Sequence, residues 1–465
     1  MLTSFIQISD YIWKLPKSYK KGMRVPVRFI VGQKLIGKIE EVVLEQSANV
    51  ATLPGLVDYV VVLPDTHSGY GASIGTVFAT DPDQGGVISP GAVGYDINCG
   101  MRLIATNLNY SEVKPRLTEL VNLLFDYIPP GVGRKGFLKI TYNDLEKIMV
   151  DGAKWMIEKG FGWYKDLESI EENGSIAGAN PDNVSQKARE RGKAQLATLG
   201  SGNHYLEIQK VAEIFDKDIA SKWGITDTDQ IVVMVHCGSR GLGHQVATDY
   251  LRIFEKKLVK FQINIPDLQL ACAPFKSETG QNYFGAMAAA ANFAFANRQA
   301  ITFRIREVFC RVFAKESRAL GMNLIYDVAH NIAKVESFDG KKLIVHRKGA
   351  TRSFPGQPVI IGGSMETGSY LLAGTEKSME LTFGSTAHGS GRTMSRHQAK
   401  KQVGGQELSK RLSSEGIIVK SASWDGLAEE AGLAYKNIKD VVESVHHAGI
   451  SMPVAYLRPI GNIKG

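Results

Sequence analysis

Cysteine and proline are scarce in this chain, and a long apolar run is missing altogether. The four cysteines, Cys99, Cys237, Cys272 and Cys310, stand far apart with no Cys-x-x-Cys pair among 465 residues. That spacing excludes a disulfide framework and suits a reducing cytosol, so a cytoplasmic location is expected. The first residues, Met1-Leu2-Thr3-Ser4-Phe5-Ile6-Gln7, lack the basic stretch, apolar core and small-residue cleavage site of a secretory signal. No apolar run reaches the ~18 residues that a membrane span needs. The nearest approach, 284–296, is rich in alanine and interrupted by Asn292. Prolines number only 16, no Pro/Ser-rich linker divides the chain, and no internal repeat is present. Length alone would allow two or three domains, but the chemically suggestive segments run from position 65 to the last residues. One catalytic unit spanning 1–465 is therefore expected.

Several common catalytic signatures are also absent. Without GxxxxGK[ST], phosphates are not held by a P-loop, and there is no HExxH helix or Lys-x-Asp-Gly nucleophile. The stretch 131–136 matches GxGxxG but follows Pro129-Pro130, so it is expected to be a loop and not a dinucleotide turn. The stretch 71–75 matches GxSxG, yet a strand-like segment follows it where a nucleophile elbow requires a helix.

Glycine, by contrast, is abundant: 48 of 465 is about a tenth, above the usual ~7%. With few prolines beside them, these glycines suggest many close backbone approaches. Hydrophobic residues at 44% and charged residues at 22% are those of a globular protein. The net charge of +8 favours an anionic partner such as RNA. Apolar periodicity predicts helices over 113–127, 144–159, 245–261 and 282–314, and β-branched runs predict buried strands over 59–63, 230–235, 324–328 and Pro358–Ile361. Strands and helices do not alternate strictly, so the expected class is α+β with a mixed sheet. The stretch 166–185 reads as an exposed loop.

Four of the ten histidines stand out. His236 and His330 end apolar strand runs, where a scaffold presents side chains to a site, and His204 and His388 sit among glycines. A single such histidine is more often a hydrogen-bonded core residue; four together point to a site. Asp96 and Cys99 are three apart in a glycine-bounded turn, so both can converge on one ion, and a thiolate can bridge two. Carboxylate, thiolate and neutral imidazoles make a set for a first-row transition metal, with zinc favoured on softness alone. Basic residues gather nearby, with Lys341, Lys342, Arg347, Lys348 and Arg352 before Gly362, and Arg392, Arg396, Lys400 and Lys401 after His388. A charged, solvated face accounts for the basic stretch 187–193. Arg392 among glycines is better suited to an anion cradle.

Four motifs occur in order: Asp96-Ile97-Asn98-Cys99-Gly100-Met101-Arg102, Leu199-Gly200-Ser201-Gly202-Asn203-His204-Tyr205-Leu206-Glu207, His236-Cys237-Gly238-Ser239-Arg240-Gly241-Leu242-Gly243 and Ser385-Thr386-Ala387-His388-Gly389-Ser390-Gly391-Arg392. With these the sequence resembles the RtcB family of GTP-dependent RNA ligases, from Pro64 to Gly465. The resemblance implies an RtcB-like α+β catalytic domain that joins RNA 2′,3′-cyclic phosphate or 3′-phosphate ends to 5′-hydroxyl ends. It implies two manganese ions in place of zinc, one held by Asp96, Cys99 and His204 and the other by Cys99, His236 and His330. By the same resemblance His388 is the histidine that becomes guanylylated by GTP. Asn203, Glu207, His330, Asn331, Gly362, Gly363, Ser364, Met365, Ser369, Gly389, Ser390, Gly391, Tyr435 and Lys464 are the guanylate-binding positions. Arg240 and Arg392 are candidate RNA or phosphate contacts. The implied partners are RNA (tRNA halves or cleaved transcripts) and archease as a candidate activator.

Two departures stand out. Ser390 replaces the usual alanine after His388-Gly389, and Ala72-Ser73 replaces a bulkier residue followed by proline. The second leaves Asp65 and His67, just upstream, without an assigned role. Two other function classes remain open on the sequence: a binuclear phosphoester hydrolase, which has no use for His388, and a non-catalytic RNA-binding protein, which has no use for the Asp96/Cys99/His cluster.

Overall fold

The computed structural model describes residues 2–465 and shows a mixed α+β architecture built on two large sheets. One has eight strands in the spatial order Leu324–Ala329, Gly100–Asn109, Gln230–Cys237, Tyr205–Ile214, Ser451–Lys464, Ser369–Gly374 and Pro358–Ile361, with Ile418–Ser421 pairing parallel to Ser451–Lys464. The other has seven, in the order Ile6–Ser9, Ile12–Leu15, Val27–Ile30, Val60–His67, Ile74–Thr80, Lys341–Lys348 and Asn331–Phe338. The chain crosses from one sheet to the other at His330, which lies between Leu324–Ala329 and Asn331–Phe338. The expected strands are all present, with Pro358–Ile361 at its anticipated bounds.

The eight-stranded sheet and the 36-residue helix Glu278–Phe313 share the largest hydrophobic cluster. Ser277 starts this helix by accepting from the Gly280 N–H at 3.1 Å. Its alanines allow close packing on all sides, and the whole stretch 285–302 is buried. Asn292, Asn297, Arg298 and Gln299 interrupt that apolar run, and each is hydrogen-bonded. They fasten neighbouring loops to the helix and do not face lipid. No helix among the described residues is long and apolar enough to cross a membrane.

Two expectations need correction. The helix anticipated over 144–159 is two helices, Tyr142–Asp151 and Ala153–Glu158, the first opened by a Thr141/Asp144 capping box. Gly152 separates them at φ 55°, ψ −127°, a conformation that side-chain-bearing residues avoid. A Cβ there would lie 2.1 Å from the Gly174 carbonyl oxygen. The loop 166–185 consists of short 3-10 turns and is only partly exposed. Asp166 and Glu171 are buried because Arg306 and Lys334 pair with them. Gly152→Ala is expected to destabilise the protein by about 1–3 kcal/mol through backbone strain alone, read as a lower denaturation midpoint. An unchanged midpoint would show that the break between the helices is not enforced.

Candidate metal centre and active site

Four of the five anticipated metal ligands sit at the ends of neighbouring strands in the eight-stranded sheet. Gly100 pairs with Cys237 on one side and Ala329 on the other, while His236 pairs with both Met101 and Tyr205. Cys99, His204 and His330 each lie one residue outside a strand at this edge. The antiparallel register therefore brings all four to one place. Asp96 joins them through a tight turn, in which the Cys99 N–H donates to the Asp96 carbonyl at 2.9 Å and Asn98 takes φ 52°. Gly238 makes room for its carboxylate; a Cβ there would meet Asp96 Oδ1 at 2.3 Å.

The donor atoms fall into two overlapping groups, Asp96/Cys99/His204 and Cys99/His236/His330, each within 4.8 Å, with Cys99 common to both. Cys99 Sγ lies 3.5 Å from His204 Nε2 and 3.1 Å from His236 Nε2. His236 Nε2 in turn lies 3.2 Å from His330 Nε2, and His204 Nε2 lies 2.7 Å from Asp96 Oδ2. Burial holds the His236 and His330 imidazoles well below their usual pKa, which keeps them neutral with a lone pair on each ring. Burial also pushes the Cys99 thiol up. Burial opposes ionisation of Asp96 too, but His204 and Arg240 outweigh it and bring the carboxyl to about 2. The donor atoms crowd within contact of one another, and Asp96 Oδ1 is buried with no partner. Cations shared among these donors would resolve both features, so the residues fit a pair of metal ions bridged by sulfur.

His388 follows the short strand Ser385–Ala387 and adjoins the cluster, its ring centroid 4.8 Å from that of His330. Its partner is Asp65, buried in the strand Val60–His67 of the other sheet. Asp65 Oδ2 accepts from His388 Nδ1 at 2.6 Å, from the His388 N–H at 3.1 Å and from the Gly389 N–H at 3.3 Å. One carboxylate thus fixes both the loop and the ring tautomer: Nδ1 carries the proton and Nε2 keeps its lone pair. His67 Nδ1 donates to the Asp65 carbonyl at 3.0 Å, and burial lowers its pKa to about 4.

A cavity of about 710 Å³ opens over this centre. Of the anticipated guanylate positions, Asn203, His330, Asn331, Gly362, Gly363, Gly389, Ser390, Gly391 and Tyr435 line it. The Gly362 N–H donates to the His388 carbonyl at 3.2 Å, and the Ser390 N–H donates to the Gly362 carbonyl at 2.9 Å. Glu207, Ser364, Met365, Ser369 and Lys464 lie outside the lining. Glu207 and Ser369 are joined by Gln209 Nε2, which donates to both at 2.6 and 3.2 Å. Burial raises the Glu207 carboxyl and lowers the Lys464 ammonium. The Met365 side chain packs among Leu408, Leu412 and Leu427, away from the cavity.

Both candidate anion contacts have protein partners. Arg240 donates to His204 Nδ1 at 3.2 Å, which places the ring proton on Nε2, where it faces Asp96 Oδ2 at 2.7 Å. Arg392 donates to the Tyr435 hydroxyl at 3.2 Å and the Glu429 carbonyl at 2.9 Å. The sequence missed Glu430, a buried carboxylate bonded to Tyr435 and within 3.6 Å of Arg392, Arg396 and Lys464. The pair Glu429-Glu430 has the look of an ordinary surface run. Asp65 carried a usable signal, a carboxylate closing the apolar run 59–63, but nothing in the sequence linked it to a histidine 323 positions later.

The family model described as tRNA-splicing ligase RtcB matches residues 46–465. The chain belongs to the RtcB family. Relatives named "tRNA-splicing ligase RtcB" include one from Archaeoglobus fulgidus, 52% identical over 99% of this chain and 98% of its own length. One from Thermococcus kodakarensis is also 52% identical, again over 99% and 98%. One from Methanococcus maripaludis is 48% identical over the whole of both. The Ser390 hydroxyl is buried and unpartnered, while its N–H donates to the Gly362 carbonyl at 2.9 Å.

The shared sulfur has a measurable consequence. Cys99→Ala is expected to weaken both metal sites, whereas Asp96→Ala should weaken one, as read by manganese equivalents retained after gel filtration. Loss of a single equivalent in Cys99→Ala would rule out the bridge.

Proposed function

We propose that this protein is a GTP-dependent RNA ligase acting as one catalytic unit over 1–465. It joins 2′,3′-cyclic phosphate or 3′-phosphate RNA ends to 5′-hydroxyl ends, in tRNA splicing, RNA repair or both. The observation that carries this reading is the Asp65–His388 contact beside a two-centre metal-ligand cluster. A phosphoester hydrolase needs the cluster but has no use for a histidine whose Nδ1 is fixed by a buried carboxylate and whose Nε2 is left free. The names of the RtcB relatives point the same way.

In this reading His388 Nε2 attacks the α-phosphorus of GTP. The P–N bond forms as the α–β bridging P–O bond breaks, and the electron pair leaves with pyrophosphate. Asp65 keeps the proton on Nδ1 and offsets the positive charge that develops on the ring, while the Gly389 N–H it holds fixes the loop. An RNA 3′-phosphate oxygen then displaces Nε2, which takes back its lone pair, and yields an RNA 3′-end activated by guanylate. The incoming 5′-hydroxyl displaces GMP from that end to close the new phosphodiester. A cyclic phosphate end is first opened by water to the 3′-phosphate.

Asp96, Cys99 and His204 would hold one manganese ion, and Cys99, His236 and His330 the second. When bound, the two ions would offset negative charge on the phosphate oxygens. Asn203, Asn331, Gly362, Gly363, Gly389, Ser390 and Gly391 line the cavity and would meet the guanylate directly. Tyr435, held by Glu430 and Arg392, would pack on its base. Glu207, Ser364, Met365, Ser369 and Lys464 would complete the pocket behind that layer.

The test uses two RNA strands, one ending in a 3′-phosphate and the other beginning with a 5′-hydroxyl, incubated with the protein, Mn²⁺ and GTP. A joined product is expected that disappears without GTP and in His388→Ala. Asp65→Asn should slow joining by on the order of 10²-fold or more, because an amide no longer enforces the tautomer. Joining without nucleotide, or by His388→Ala, would overturn the reading. Loss of the phosphate without joining would favour the hydrolase.

A further inference from the structure

Three aromatic side chains lead away from the mouth of the cavity beside the helix Arg240–Lys257. His244, on that helix, is exposed and lines the cavity together with Asp96, Arg191 and Arg240. Its ring stacks on Tyr95, with centroids 4.9 Å apart and planes 26° from parallel. Tyr95 meets Tyr70 edge-on, with centroids 5.2 Å apart at 63°. Both tyrosines are half-buried, so each keeps some surface open to solvent. None of the three is used in guanylylation as derived above, although Tyr95 directly precedes Asp96.

We propose that Tyr70, Tyr95 and His244 form a stacking platform for the nucleobase of an RNA end entering the cavity. The inference rests on the ligase reading and extends it to how the RNA end is held. Every nucleobase has a π-face, so aromatic stacking holds an end without selecting its sequence. That tolerance suits an enzyme whose substrates differ in the nucleotides flanking the break. The charge distribution agrees. Arg191, Arg240 and Arg396 line the cavity, where the terminal phosphate must sit. Burial and the neighbouring Tyr95 push the Tyr70 hydroxyl up, and the negative charges of Glu255 and Asp267 on that side add to it. Positive side chains to hold the terminal phosphate therefore gather inside the cavity, which leaves the aromatic surface at its mouth for a base.

The test places 2-aminopurine, whose fluorescence is quenched by stacking, at the terminal nucleotide of a 3′-phosphate strand and, separately, of a 5′-hydroxyl strand. Binding to the full-length protein should quench one of the two, which identifies the end that the platform holds. His244→Ala and Tyr70→Leu should relieve the quenching and weaken binding of that strand roughly tenfold. An abasic terminal nucleotide should cost wild type a similar factor and cost His244→Ala almost nothing more. Binding without quenching of either strand, or losses that multiply when the abasic end meets His244→Ala, would overturn the platform while leaving the ligase reading intact. Failure of both strands to bind wild type would remove the ligase reading, and the platform with it.

Discussion

The guanidinium of Arg298 lies fully buried midway along the longest helix, and the site above it depends on how its N–H groups are used. Nη1 donates to the carbonyls of Asn98 and Cys237 at 2.9 and 2.8 Å, and Nη2 donates to Asn98 Oδ1 at 3.0 Å. Nε and Nη2 hold the Asp327 carboxylate, which Arg102 Nε shares at 2.6 Å. One side chain thus fixes the turn carrying Asp96 and Cys99, the end of the strand carrying His236, and the strand leading into His330. Breaking such a buried pair leaves an uncompensated charge, at a cost on the order of 3–5 kcal/mol. The same cation acts on the sulfur: burial drives the Cys99 thiol up, and Arg298 opposes that drive in favour of the thiolate a metal requires.

This anchoring explains why the site is assembled from such distant parts of the chain. Four strand ends in register bring the candidate metal ligands together, and Arg298 holds three of the segments from below. The second sheet contributes a single decisive group, Asp65, which reaches across to the loop after Ser385–Ala387. His330, at the crossing between the sheets, touches both the metal cluster and His388. His388 and the candidate metal ligands therefore share one rigid frame, as the proposed guanylate transfer between successive phosphorus centres would require.

Much of this was legible in the sequence, for identifiable reasons. His236 and His330 close apolar strand runs, and Asp96 and Cys99 sit in a glycine-bounded turn, so residue type and local pattern were enough to nominate them. The motifs then placed His204 and His388 with them. What local pattern does not carry is pairing between remote elements. Asp65 and His388 meet only because two strands 323 positions apart pack at one junction. Asp166, Glu171 and Glu430 read as surface carboxylates because their partners Arg306, Lys334 and Tyr435 are set by tertiary packing. The break at Gly152 was hidden because apolar periodicity continues across it, while the carbonyl of Gly174 that enforces the break lies elsewhere in the chain. Met365, expected from the resemblance to be a guanylate position, buries its side chain in a small core of its own.

The central claim is that His388 carries the guanylate, and its most direct measurement needs no RNA. The protein is incubated with α-labelled GTP and Mn²⁺ and resolved by denaturing electrophoresis. The account predicts a label on the protein that is labile in acid, stable in alkali and absent from His388→Ala, as a phosphoramidate on that ring requires. Absence of label from protein shown to hold both metal ions, or a label that persists in His388→Ala, would contradict it.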